Sequence, residues 1–117
     1  MNAFVPLEMP GLEKIRARFV EMLSDRKVRI AQHALAAWDG ESAEEINANL
    51  EAAKNILHKI AGTAGTVGFS DLGTCAHLCE EEIIAHLEGD YADLAICPGE
   101  MIWRIDSFVA ACTKITD

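Results

Sequence analysis

Basic residues are scarce in this chain and unevenly placed. The 117 residues include 10 Lys and Arg against 19 Asp and Glu, giving a formal net charge of −9. Nucleic acids and anionic membranes are bound through basic patches, so neither is an expected partner. Most of the basic residues lie in the first 29 positions. Between Arg29 and Arg104 the only Lys or Arg residues are Lys54 and Lys59, and both flank His58.

Long apolar runs and linker-like segments are also missing. No stretch approaches 18 consecutive apolar residues, and the opening MNAFVPLEMPGLEKI carries early acidic residues where a secretion signal has basic ones. There is no low-complexity or Pro/Ser-rich tract, and 50% apolar content in 117 residues is enough for one core. We therefore predict a single cytoplasmic domain over residues 1–117, with no membrane partner.

Common nucleotide-binding and hydrolase motifs are absent as well. The glycine-rich run Gly62–Gly68 follows a helical pattern and is not followed by lysine, whereas a Rossmann loop follows a strand and a P-loop ends in Gly-Lys-Ser/Thr. No GxSxG or HExxH motif occurs. The chemistry of the chain must therefore be sought in its helices.

The apolar residues recur at helical spacing. The clearest stripe runs from Glu41 to Val67, where Ser42 and Glu45 form a capping-box start and Gly68 a stop. Its members are Ile46, Leu50, Ala53, Leu57, Ile60, Ala64 and Val67. A second stripe has Ser70 as its predicted N-cap and Gly89 as its stop, and a third starts at Pro98. The second contains Leu72, Ala76, Cys79, Ile83 and Leu87, and the third Met101, Ile105, Phe108, Cys112 and Ile115.

The N-terminal stretch from Gly11 to Trp38 is also helical in pattern, but its stripe rotates near residue 25. One stripe contains Leu12, Ile15, Phe19 and Met22, and the other contains Val28, Ala31, Leu35 and Trp38. This region is either one long helix or two helices broken near residue 25, ending at Asp39-Gly40 in both cases. No alternating strand pattern appears, so the predicted fold is an all-α antiparallel up-and-down four-helix bundle.

His58 is the residue best placed for chemistry. It follows the stripe residue Leu57 and so lies about 100° around the helix from the buried centre, where water and partners reach it. Its neighbours on that flank are Lys54, Ala61, Gly62 and Gly65. Two glycines inside a helix cost about 1 kcal/mol each relative to alanine. They give clearance to an approaching partner, or they let a neighbouring helix pack closely or the helix end at Gly62.

The run HKIAGTAGTVGF from His58 to Phe69 resembles the signature of histidine phosphotransfer (HPt) domains. In that family the phosphorylated His is followed by an apolar residue at +2, usually Lys at +3, Gly at +4, a small or hydroxyl residue at +5 and Gly at +10. Ile60, Gly62, Thr63 and Gly68 match these positions. Ala61 stands where the family has lysine, so the accompanying cation is missing there. Lys54 on the same flank, or Lys59 beside His58, is the candidate replacement.

The resemblance implies a phosphoryl carrier with a phosphohistidine intermediate. His58 would accept the phosphoryl group from a receiver domain or a hybrid sensor histidine kinase and pass it to another receiver in a phosphorelay. The receiver would supply the phosphorylatable Asp and Mg²⁺, so this chain would have no cofactor of its own and most of the catalysis would come from the partner. Lys54, Lys59, Ala61, Gly62 and Gly65 would steady the phosphoryl group or admit the receiver.

Two alternatives remain open on the sequence. One is an HPt-like module that binds a receiver or kinase and regulates it without being phosphorylated. The other is a bundle that binds metal through Cys75, Cys79 and His86, although no second ligand cluster completes such a site. Cys97 and Cys112 lie in apolar segments where free Cys packs as a small hydrophobe. His33, His77 and His86 are assigned no chemistry.

Overall fold

The computed structural model describes residues 11–117, and over that range it is a bundle of four helices without strands. The helices are α1 (Leu12–Trp38), α2 (Ala43–Ala64), α3 (Ser70–Leu87) and α4 (Gly99–Thr116). Short connections make successive helices antiparallel. The bundle confirms the predicted fold class. Pro6 and Pro10, where the sequence would also allow a helix to begin, lie outside the described residues.

α2 begins where the sequence predicts. The Ser42 hydroxyl accepts a 3.1 Å hydrogen bond from the Glu45 amide, and the Glu45 carboxylate accepts one of 3.2 Å from the Glu41 amide. The carboxylate thus caps a residue one position earlier than in the usual reciprocal box. The helix ends at Ala64, three residues before the predicted end, and the turn that follows reverses at Gly68, whose φ is 96°. A left-handed φ of that kind favours glycine.

Removal of the Ser42 cap has a measurable expected cost. The variant Ser42→Ala leaves the Glu45 amide without its acceptor, so we expect the free energy of unfolding to fall by about 1 kcal/mol. Chemical denaturation measures the change. Ser42→Asp is the control, because aspartate is an equally good N-cap and keeps wild-type stability; equal losses in both variants would show that the cap does not act.

α1 is one unbroken helix of 27 residues, which decides between the two N-terminal predictions. Its predicted apolar stripes are largely wrong as a guide to burial. The buried residues are Phe19, Leu23, Ile30, Ala34 and Ala37. Ile15, Met22, Val28, Leu35 and Trp38 are all exposed. α1 therefore carries more apolar side chains than the bundle core can cover, and its two halves present apolar surface in different directions.

The core runs along the axis of the bundle and fixes the helix order. α2 packs on α1 and α3, and α4 packs on the same two helices, so α2 and α4 occupy opposite corners. Leu50, Leu57 and Ile60 of α2 are fully buried, as are Ile83 and Ile105. The other two helices start near their predicted positions, with Phe69 rather than Ser70 as the N-cap of α3 and Pro98 as that of α4. The outer face of α2 is thus held rigidly towards solvent.

Two basic side chains of α1 fasten the ends of the bundle. The Arg16 guanidinium donates a 2.9 Å hydrogen bond to the Val67 carbonyl in the turn between α2 and α3. Lys27 donates to the hydroxyl of Thr116 at 2.7 Å and pairs with Asp117 at 3.2 Å, which ties the end of α4 to α1. The hydrogen bonds from Thr116 and Lys27 hold the pKa of the exposed Asp117 carboxyl below its usual value. Among residues 11–117, no helix has the length and apolar character needed to cross a bilayer.

Candidate functional site

His58 stands on the outer face of α2 with 73% of its side chain exposed. Its two neighbours in the sequence differ in burial. Leu57 is fully buried, and Lys59 is exposed. The imidazole is therefore anchored by a core helix while its ring reaches water. The structure places it where the sequence predicts, although no chemistry follows from exposure alone.

The ring is held by a buried carboxylate that the sequence analysis missed. His58 Nδ1 lies 2.7 Å from Oε2 of Glu80 on α3, and Glu80 is only 8% exposed, the one buried charged residue in the described part of the chain. An ionised carboxylate only accepts hydrogen bonds, so the proton of the neutral imidazole lies on Nδ1. The Nε2 lone pair is then left free on the exposed ring. This is the nitrogen available as a nucleophile.

Acidic side chains continue on the α3 side of His58. His77 Nδ1 is 3.8 Å from the second Glu80 oxygen, and His77 Nε2 is 3.3 Å from Glu81. His77 is itself exposed, with 58% of its side chain accessible. Glu80 thus lies between two histidines, at 2.7 Å from one and at a looser distance from the other. Its strongest hydrogen bond is the one to His58.

The two candidate lysines lie on different sides of His58 and face different partners. Lys54 Nζ forms a 2.7 Å ion pair with Glu51 one turn earlier on α2. Lys59 instead lines a groove of about 650 Å³ between α1 and α2. Among the described residues, His58 forms its hydrogen bond with Glu80, and the ammonium groups of Lys54 and Lys59 do not bond to the imidazole. Which lysine replaces the family cation stays a prediction.

The groove between α1 and α2 combines an apolar floor with a basic rim. Phe19, Met22 and Val67 contribute to the floor, and Ile15 beside them is 57% exposed. The rim is formed by Lys14, Arg18, Arg26 and Lys59. This basic patch stands out in a chain with a net charge of −9. One of its residues, Lys59, directly follows His58 in the sequence. Two of the five exposed large apolar residues of α1, Ile15 and Met22, lie here.

The glycines near His58 are not packing glycines. A methyl group added at Gly62 or Gly65 would meet no atom of another element of the described chain within 4 Å, so neither glycine is required by an adjacent helix among residues 11–117. Close packing is found instead at Gly73 of α3, where a methyl group would lie 3.3 Å from the Ala64 Cβ. Of the alternatives for Gly62, close packing is wrong, and the helix continues past it to Ala64. Clearance on the outer face remains, at a cost to helix stability.

The buried thiols of Cys79 and Cys112 have the environment of packing residues and not of metal ligands. Burial raises the pKa of the Cys79 thiol to about 11 and that of Cys112 to about 12, which disfavours the thiolate that binds metal. Burial also raises the pKa of Cys97, while Cys75 is exposed on α3. Within residues 11–117 no three His, Cys, Asp or Glu side chains are grouped to hold a metal ion.

Comparison with known proteins supports the family that the motif resembles. The Hpt domain family model matches residues 14–105, which is well over half of the chain. Searches of curated proteins and of solved structures gave no match. Members of the Hpt family transfer phosphoryl groups through histidine in phosphorelays, working with receiver domains and histidine kinases. Because the matched span runs from α1 into α4 and so includes the helix that carries His58, this chain belongs to the Hpt domain family.

Proposed function

We propose that His58 is the phosphoacceptor of this chain, and that it takes a phosphoryl group from the phospho-aspartate of one receiver domain and passes it to another. The observation that carries the proposal is the pairing of an exposed imidazole with a buried carboxylate, His58 Nδ1 to Glu80 Oε2 at 2.7 Å. This pairing fixes the tautomer that presents Nε2 to a partner. Other exposed polar residues of α2 lack such a partner in α3 among the described contacts.

The proposed transfer step uses the two ring nitrogens of His58 and the Glu80 carboxylate. The Nε2 lone pair attacks the phosphorus, the bond between phosphorus and the aspartyl oxygen breaks, and the receiver leaves with its carboxylate restored. The imidazole then carries phosphorus on Nε2 and a proton on Nδ1, with a positive charge that the Glu80 carboxylate offsets. The negative charge on the equatorial oxygens of the transferring phosphoryl group would be neutralised by Mg²⁺ on the receiver, because phosphoryl transfer is catalysed mainly by positioning and electrostatics.

We place the receiver over the outer face of α2, with part of its contact in the groove that Lys59 lines. Gly62 and Gly65 have no side chains, so a partner can approach the backbone of α2 closely beside His58. On the α1 side, Ile15 and Met22 offer exposed apolar surface. The basic rim complements a receiver whose phosphorylation site is built from carboxylates. The acidic α3 side, with Glu81 beside His77, would repel the same surface and so favour one orientation.

The test is phosphoryl transfer from receivers encoded in the same genome. Each receiver is first phosphorylated with a small acyl phosphate and separated from the excess reagent. The phosphorylated receiver is then mixed with the full chain and Mg²⁺. We expect the label to move to this chain as an acid-labile, base-stable phosphoramidate. Binding of a receiver without any labelling would contradict the proposal and support the non-phosphorylated interaction module.

Glu80 is expected to act as a positioning residue in this reaction. In Glu80→Ala the imidazole loses a charge-assisted hydrogen bond of about 1.5–3 kcal/mol, so the transfer rate should fall by about 10- to 100-fold. Glu80→Gln keeps an acceptor oxygen but loses the charge, and should recover part of the rate. Rapid-quench kinetics measure the effect, with circular dichroism as a check on folding. Equal rates in wild type and Glu80→Ala would contradict the role.

A further inference from the structure

The face of the bundle opposite His58 carries a second exposed apolar surface, centred on α4. Trp103 is 67% exposed on α4, and Trp38 at the end of α1 is 54% exposed, so both tryptophans of the chain lie on this face. The Trp38 ring packs over Gly99 at the start of α4, with 3.7 Å between its ring and the position of a Gly99 Cβ. That contact holds an exposed indole in place, as in the preorganised anchors of interfaces.

α4 forms a ridge between two grooves. On one side, Leu35, Trp38 and Ile102 line a hollow of about 310 Å³ between α1 and α4. It continues into a second hollow of about 270 Å³ that shares Leu35 and reaches Val28. On the other side, a groove of about 450 Å³ separates α4 from α3. Trp103 borders the grooves on both sides and forms the crest of the ridge.

Most of the charge around this face is neutralised within the chain. Arg104 pairs with Glu82 at 3.1 Å and with Glu100 at 3.4 Å, and Lys27 pairs with Asp117 at 3.2 Å. Asp106 is exposed at the rim of the groove between α1 and α4, where water can hydrate it. The groove beside His58, in contrast, has four basic side chains on its rim. The α4 face therefore offers little to a strongly charged partner.

We propose that the α4 face binds a second copy of this chain, with the Trp103 ridge of each copy seated in the groove between α1 and α4 of the other. A ridge and a groove side by side on one surface are self-complementary, which is what a two-fold interface requires. The internal pairing of Arg104 and Lys27 lets two copies meet here although each has a net charge of −9.

The size of the face is sufficient for a weak specific dimer. α4 has 18 residues and is about 27 Å long, and two packed helices present a width of about 20 Å. Each copy would then cover about 540 Å², or about 1,100 Å² in total, which reaches the lower range of specific interfaces. Because α2 lies at the opposite corner from α4, His58 of each copy would stay accessible.

Sedimentation equilibrium of the full chain from about 1 to about 500 μM tests the proposal, over the range that a small interface requires. We expect the mass to rise from 12.7 kDa towards twice that value, and tryptophan emission to shift to the blue over the same range. Added salt should strengthen association by screening the charge of −9 on each copy. A chain that stays monomeric throughout would overturn the proposal.

The variant Trp103→Glu places a charge on the crest of the ridge. It should raise the dissociation constant by about 30-fold or more, the effect expected for an interface hot spot, without unfolding the monomer, since the side chain is 67% exposed. Ile15→Glu, on an exposed apolar residue of the groove beside His58, is the matched control and should dimerise as wild type does. Wild-type dimerisation by Trp103→Glu would overturn the proposal. The Trp103→Glu variant is also assayed for phosphoryl labelling. Loss of dimerisation can then be told apart from a failure of the proposed phosphotransfer at His58.

Discussion

Replacement of His58 by Gln is expected to abolish phosphoryl labelling while leaving the helical bundle intact. The amide of glutamine has no nucleophilic lone pair comparable to that of Nε2, so the attack on phosphorus cannot take place. His58→Gln breaks the charge-assisted hydrogen bond to the buried Glu80, and the glutamine amide can replace it only in part, so the loss of stability should be about 1–2 kcal/mol and the bundle should stay folded. Labelling with a phosphorylated receiver and Mg²⁺ measures the first effect, and thermal unfolding the second.

The matched control is a histidine outside the site. His33 of α1 is half-buried and its Nδ1 lies 3.0 Å from the Asn49 side chain, a contact that glutamine can reproduce. His33→Gln should therefore be labelled as fast as wild type. Persistent labelling of His58→Gln would move the phosphoacceptor elsewhere, whereas loss of labelling in both variants would point to a general defect in folding or docking.

The four-helix fold was predictable because most of the helices show one buried stripe. In α2 the predicted stripe residues from Ile46 to Ala64 are buried, and the Ser42 cap is present. For α1 the helical pattern and its end near Trp38 were predictable, but its continuity past residue 25 and its orientation were not. Its core face uses the small residues Ala34 and Ala37, while larger apolar residues such as Leu35 point outwards. A sequence pattern cannot tell apolar residues that fill a core from those that cover a surface for a partner.

The candidate site was proposed from the motif for His58 and its glycines, whereas Glu80 was not part of that prediction. Twenty-two residues separate Glu80 from His58, and it belongs to the acidic run Glu80–Glu82, which looks like a solvated face. A signal was nevertheless present, because Glu80 lies four residues after Ala76 and three before Ile83, both fully buried. A carboxylate at such a position needs a partner, and an exposed histidine on the neighbouring helix is one that it can reach.

The lysine missing at Ala61 shows why pairing cannot be read from spacing. Lys54 is four residues before His58 and on the same flank, yet its ammonium is engaged by Glu51 at 2.7 Å. An exposed ion pair of this kind contributes at most about 1 kcal/mol, so the phosphoryl group could draw Lys54 away. Lys59 belongs to the basic groove, where it shares the rim with Arg18. The two lysines are thus available to different parts of a docked partner.

Gly62→Gln is the second substitution for which we expect a large effect, and it should separate stability from transfer. Within residues 11–117, no atom outside the helix's own backbone lies within 4 Å of a Cβ at this position, so the bundle accommodates the larger side chain. Glutamine is the better helix former, and the free energy of unfolding should rise by about 0.5–1 kcal/mol. The same side chain would stand one turn from His58 on the face where the receiver docks. We therefore expect transfer to fall by about 100-fold or more, as a 1 Å misplacement of reacting groups can cause.

A graded control shows whether the cause is size. Gly62→Ala adds one methyl group and should gain about 1 kcal/mol in stability while losing little of the transfer rate. Gly73→Ala, in contrast, places its methyl group 3.3 Å from Ala64 inside the bundle, and should act on packing and not on transfer. Normal transfer by Gly62→Gln would show that no partner approaches α2 closely. The glycine would then be a helix weakness without a role in docking, and the placement of the receiver over this face would be wrong.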